Sequence, residues 1–160
     1  MISEPLLHSI IGHLKTTDSM YTFLFELDKV HDSLFKSGSI SNAQVVENNM
    51  SQEHALFLHE HIVSMNSEQL SVFLKELEDE LKKVQKYGIT LAFKYDAAFA
   101  STLFDWISQN TTGHYLLDIT YDPEIIGGGV FIYDGLYKDF SLRKVLSSFF
   151  ESKDGLQKLI

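Results

Sequence analysis

The hydrophobic period of this chain changes at Gly88, and that change limits what it can fold into. Upstream, apolar residues recur every three or four positions, the spacing of one helix face; downstream they alternate, the spacing of a half-buried strand. The clearest upstream stripe is Leu70, Phe73, Leu74, Leu77, Leu81 and Val84 within NSEQLSVFLKELEDELKKV. Asn66 can cap this helix, with Gln69 three residues on as its capping-box partner. Its opposite face is charged, with acids before lysines as the helix dipole prefers. GITLAFKY then sets Ile89, Leu91, Phe93 and Tyr95 against Thr90, Ala92 and Lys94. The switch predicts an α+β protein: an N-terminal all-helical bundle over residues 1–87, then a small α/β domain over residues 88–160.

Further helices are predicted before the switch. Ser3 can cap one carrying Leu6, Leu7, Ile10, Ile11 and Leu14. Thr17 or Asp18 can start another, with Tyr21, Leu24, Leu27, His31 and Leu34 in register and Phe23, Phe25 and Phe35 off that stripe. The turn-rich KSGSISNAQ breaks the pattern, and a weak short helix follows through Val45 and Val46. Ser51 then starts a helix with Ala55, Leu58, Ile62 and Met65 at helical spacing.

After the first strand, Asp96 caps a helix carrying Ala100, Leu103, Phe104 and Ile107, and YLLDITY alternates again. Strand, helix and strand in so short a span predict a parallel right-handed crossover. Asp134-Gly135 between VFIY and LYKD predicts a hairpin, because a type I′ turn needs positive φ twice. Ser141 or Asp139 caps a last helix with Leu142, Val145, Leu146, Phe149 and Phe150 on one face, and the tail ESKDGLQKLI reads as frayed.

Composition restricts the chemistry. The net charge of −9 repels nucleic-acid phosphates, so no nucleic-acid partner is expected. With no cysteine there is no thiolate nucleophile and no cysteine metal site. MISEPLLHSIIGHLK lacks a basic cluster and a small-residue cleavage site, so it does not read as a secretory leader. No apolar run approaches the roughly 18 residues that span a bilayer, so membrane attachment is expected only through a partner. His54, His59 and His61 are spaced five, two and seven apart, which does not assemble a zinc site; they read as partly exposed helix histidines, and His8, His13, His31 and His114 as isolated. Glu78 with Asp79, and Asp118 with Asp122, fall on polar faces where solvent is the ordinary environment. Neither a catalytic residue, a cofactor nor a metal is expected.

Gly127, Gly128 and Gly129 pose the remaining question. A phosphate loop opens a helix and carries Gly-Lys-Ser/Thr, whereas these glycines open a strand and no lysine follows until Lys138. The better reading is mechanical: Pro123 turns the chain, and residues without Cβ let it bulge or pass close to a neighbouring backbone.

The stretch Asp122-Pro123-x-Ile125-Ile126-Gly127-Gly128, then a strand, a tight turn, a strand ending in Asp139, and Ser141-Leu142-Arg143 opening an amphipathic helix, resembles the C-terminal signature of the F-type ATP synthase delta subunit and its mitochondrial counterpart, the oligomycin-sensitivity-conferring protein. The preceding order of long helix, strand, helix and strand is similar too, so the resemblance runs from about Leu70 to Phe150. Tyr21 to Leu27, YTFLFEL, is similar to that family's opening helix but one residue short. The resemblance implies a non-catalytic component of the peripheral stalk on the cytoplasmic face of the membrane. Its helical domain would grip N-terminal helices of alpha subunits, through Tyr21, Leu24, Phe25 and Leu58. Its second domain would hold the C-terminus of the b subunit, through Val145, Phe149 and Phe150. The other readings are the E-type stalk component of a V- or A-type ATPase, and a small nucleotide-binding protein using Gly127 to Gly129.

Overall fold

The computed structural model describes residues 2–36 and 40–151, with side chains to Ser148. The centre of the expected break after Lys36, the expected frayed tail beyond Glu151, and the side chains of Phe149 and Phe150 lie outside the described residues. Among these residues the fold is α+β, with a helical region first: α1 (Glu4–Leu14), α2 (Thr17–Leu34), α3 (Asn42–Asn49), α4 (Gln52–Ile62) and α5 (Ser67–Lys83). There follow β1 (Gln85–Leu91), α6 (Ala97–Asn110), β2 (Tyr115–Tyr121), β3 (Gly129–Tyr133), β4 (Leu136–Asp139) and α7 (Leu142–Glu151). The chain divides into two compact units: Met1–Leu14 with Asp18–Val84, and Lys15–Thr17 with Gln85–Ile160.

The helical unit is built on local signals that agree with its packing. The Asn66 side chain accepts the Gln69 N–H at 2.8 Å, and Gln69 Oε1 accepts the Asn66 N–H at 3.0 Å. Ser41 and Gln44 make a second capping box at the start of α3, and Ser51 caps α4. Leu70, Leu74, Leu77 and Leu81 of α5 are all buried. Each fully buried leucine contributes about 1.5–3 kcal/mol of transfer free energy. In α2 the buried stripe is Met20, Phe23, Leu27, Val30 and Leu34; it shares Leu27 and Leu34 with the expected register but replaces Tyr21, Leu24 and His31 with Met20, Phe23 and Val30. Spacings of three and four recur in both sets, and the aromatic at Phe23 belongs to the inner one.

The second unit is a mixed four-stranded sheet in the order β2-β1-β3-β4. β1 and β2 are parallel, as the crossover through α6 requires, with Ile89 opposite Ile119. β3 runs antiparallel to both β1 and β4. The first strand starts at Gln85 and ends at Leu91, so Phe93 and Tyr95 lie beyond it; the Tyr95 hydroxyl instead donates to the Ile119 carbonyl at 3.1 Å. The strand comes early because α5 stops at Lys83 and Val84 is already extended, at ψ 133°. Asp134 and Gly135 have φ of 48° and 74°, the two positive values that the tight hairpin demands.

Three residues between α1 and α2 extend this sheet. The Leu117 N–H donates to the Lys15 carbonyl at 2.9 Å, and Thr16 bridges Leu117 in parallel. The Thr17 hydroxyl donates to Asp118 at 2.9 Å, and Lys15 Nζ reaches Asp105 of α6 at 3.2 Å. This strap pairs the outer edge of β2, and a segment of three residues has no period by which to announce itself.

Candidate functional site

The glycine corner is built by the segment that the sequence singles out. The Asp122 N–H donates to the Leu91 carbonyl, and the Asp122 side chain accepts the Glu124 N–H, so Pro123 sits inside a side-chain-closed turn. Gly127 and Gly128 take φ of 65° and 74°. A Cβ on Gly128 would lie 2.2 Å from the Phe140 carbonyl oxygen, and one on Gly129 would lie 2.9 Å from the Thr90 oxygen. The backbone therefore passes too close to its neighbours for any side chain. On the Cα side of Gly128 the space is filled by the Phe140 carbonyl oxygen.

The corner sets the start of α7. The Ala92 N–H donates to the Gly128 carbonyl at 3.1 Å, tying the turn to the end of β1. The Leu142 N–H donates to the Ile126 carbonyl at 3.0 Å, tying it to the first residue of α7. Ser141 is buried; its N–H donates to Asp139 Oδ1 at 2.8 Å, and its hydroxyl oxygen accepts the Lys144 N–H at 3.4 Å. The Ser141 hydroxyl, and then its N–H, hold the Asp139 carboxyl below the ordinary 3.8, with the Lys144 and Arg143 charges adding to the effect. Arg143 itself is exposed.

Anchored in this way, α7 leaves the described residues of its apolar face exposed: Leu142 is 47% exposed, Val145 57% and Leu146 43%. A second apolar surface lies on the same unit. Phe131 pairs Lys138, and Tyr133 pairs Leu136, so these four share one face of the sheet. Together with Tyr87, Trp106 and Phe140 they line a groove of about 570 Å³. Tyr87 stacks on Tyr133 at 3.7 Å, and burial, then the Tyr133 contact, push its phenol up to about 12, so it stays a neutral group. Phe140 meets Phe131 edge-on at 5.6 Å and stands at the foot of α7, which makes the groove and the helix neighbours in the chain. Exposed apolar residues on this scale make this the candidate interaction surface of the unit.

The sequence-predicted contact residues divide. Tyr21 and Phe25 are 55% and 61% exposed on α2, and Leu24 is half-buried between them. Leu58, expected at the same contact, is fully enclosed in the helical unit and is a core residue, because it shares the inward face of α4 with Ala55 and Ile62. Val145 is exposed, while the side chains of Phe149 and Phe150 fall outside the described residues. The sequence reading does not reach the groove; the signal that could have found it is the pairing of Phe131 and Tyr133 with Lys138 and Leu136 across the hairpin. The histidines differ as well: His54, expected to be partly exposed, is buried against Glu26, and His13 packs against it.

Among the described residues no helix is long and apolar enough to cross a membrane. No protein-family model matches the chain, and no curated protein matches it.

Proposed function

We propose that this chain is a non-catalytic connector in the peripheral stalk of a rotary F-type ATP synthase. In this reading the helical unit grips N-terminal helices of alpha subunits and the α/β unit holds the C-terminus of a b subunit. The observation that carries the reading is the Asp122-to-Arg143 segment. Its glycines serve backbone packing, and its hydrogen bonds set out an amphipathic helix whose apolar face stays uncovered. The resemblance assigns that helix to binding of the b subunit. A tether that resists torque needs a broad, slowly dissociating contact, and an apolar helix face beside an aromatic groove is suited to one. The net charge of −9 would favour basic helices on its partners through association rate and specificity. The protein would sit at the cytoplasmic face of the membrane, held there by the complex.

The test is capture of two synthetic peptides by the folded chain: the N-terminal helix of an alpha subunit and the C-terminal helix of a b subunit. Binding of both is expected. Val145→Asp with Leu146→Asp should weaken the b peptide at least about tenfold, a loss of about 1.4 kcal/mol, and leave the alpha peptide unaffected. Failure of the folded chain to bind either peptide rejects the stalk assignment.

A further inference from the structure

A group of ionisable side chains lies inside the helical unit, apart from the surface described above. His54 Nδ1 and Glu26 Oε2 are 2.6 Å apart, and both side chains are nearly enclosed, at 11% and 12% exposure. An ionised carboxylate only accepts, so Nδ1 carries the hydrogen and donates it. The Ser51 hydroxyl donates to the same carboxylate oxygen at 3.4 Å, and Phe23 closes over the His54 ring edge-on at 5.0 Å. This contact ties α2 to α4.

His13 completes the group from α1. Its ring stacks on Phe57 of α4 at 4.6 Å and meets the His54 ring edge-on at 5.5 Å. Its Nε2 is shut away from solvent without a hydrogen-bond partner among the described residues. The charged and titratable groups facing it are Glu53 and His54 on α4, Glu26 on α2 behind His54, and His61 across the Phe57 ring. Glu53 is 3.9 Å away and its side chain is 78% exposed, so water and salt screen its charge.

The two histidines therefore have different polar surroundings. A charge on His54 is met at once by the Glu26 carboxylate. His13 keeps 19% of its side chain exposed, but a charge at its enclosed Nε2 would face an aromatic ring and a second imidazole, with only a solvent-screened carboxylate at 3.9 Å to meet it. We propose that His13 is an acid-triggered latch, whose protonation releases α1 from α4 while Glu26 and His54 keep α2 on α4. Burial is the main cause holding His13 below its ordinary 6.5; Glu53 opposes the shift and His54 adds to it. A histidine so depressed binds its proton more readily when exposed than when packed. The packed form is therefore fully favoured above pH 6.5 and loses ground as pH falls from 6.5 through the folded-state value.

The experiment is hydrogen exchange on the full chain between pH 7.5 and 5.5, expressed as protection factors, with His13→Phe as the comparison. Phenylalanine keeps the ring on Phe57 and cannot take a proton. In the wild type, α1 protection should fall across this range, by up to roughly tenfold per pH unit below 6.5 until the folded-state value is passed. Protection of α2 and α4 should fall less, and His13→Phe should hold its α1 protection throughout. Equal pH sensitivity in the variant, or constant α1 protection in the wild type, overturns the proposal. Should His13→Phe fail to fold, NMR titration of the wild-type His13 ring decides. Protonation below 6.5 that coincides with α1 opening supports the latch; titration at or above 6.5, or without α1 opening, refutes it.

Discussion

Helices α5 and α7 carry the same kind of sequence and meet opposite fates. Each sets its apolar residues on one side, at spacings of three and four. In α5 that side is enclosed by the helical unit; in α7 it stands open. The pattern determines that a helix forms and which side is apolar. It does not determine what covers that side, because cover depends on where the chain aims the helix. For α7 the aim is set elsewhere, by the corner at Gly128 and the bonds from Leu142.

That contrast can be broken by experiment. The largest effect belongs to the corner. Gly128→Val places a branched side chain against a backbone carbonyl at φ 74° and should cost about 4 kcal/mol or more, seen as loss of cooperative unfolding in denaturant. Next come the two leucines that test the helices directly. Leu74→Ala in α5 should cost about 2–5 kcal/mol, whereas Leu146→Ala in α7 should stay within about 0.5 kcal/mol for the isolated chain. Similar losses at both positions would show that α7 is covered after all. Smaller again is Asn66→Ala, which removes one half of the α5 capping box and should cost about 1 kcal/mol by the shift in denaturation midpoint. The smallest effect is a titration. The depressed Asp139 carboxylate favours the fold above its ordinary value and loses that contribution as pH falls below 3.8 through the folded-state value. In Ser141→Ala the Asp139 carboxyl should move back toward 3.8 by NMR, because the Ser141 hydroxyl is the main cause of the shift.

Much of the fold is legible in the residues alone, for reasons that differ by element. The caps at Asn66, Ser51 and Asp96, the Asp134-Gly135 hairpin and the parallel crossover all rest on local chemistry that tertiary packing leaves alone. The buried stripe of α2 escapes this reasoning because Tyr21 and Leu24 keep the same spacing as Met20 and Phe23, and periodicity cannot rank two interleaved sets. The start of β1 is displaced because Val84 continues the α5 period after the helix has ended. Of the expected contact residues, Tyr21, Phe25 and Val145 are exposed, while Leu58 is not: a leucine on a helix is inside or outside according to its face. The His13–His54 packing joins residues distant in the chain, and the groove, beyond its Phe131-to-Lys138 hairpin, needs Tyr87 and Trp106 from other elements, so no one window of sequence holds either whole.

The Lys15–Thr17 strap has a consequence for inheritance. The polypeptide crosses between its two units three times, after Leu14, after Thr17 and after Val84. A break after Val84 leaves every residue of the helical unit on one fragment, with the strap, but no single break frees the α/β unit whole: a fragment starting at Gln85 would leave the outer margin of β2 bare. The dependence is one-sided: the first half could be inherited as a cassette, whereas the second would arrive without the stitch that closes its margin.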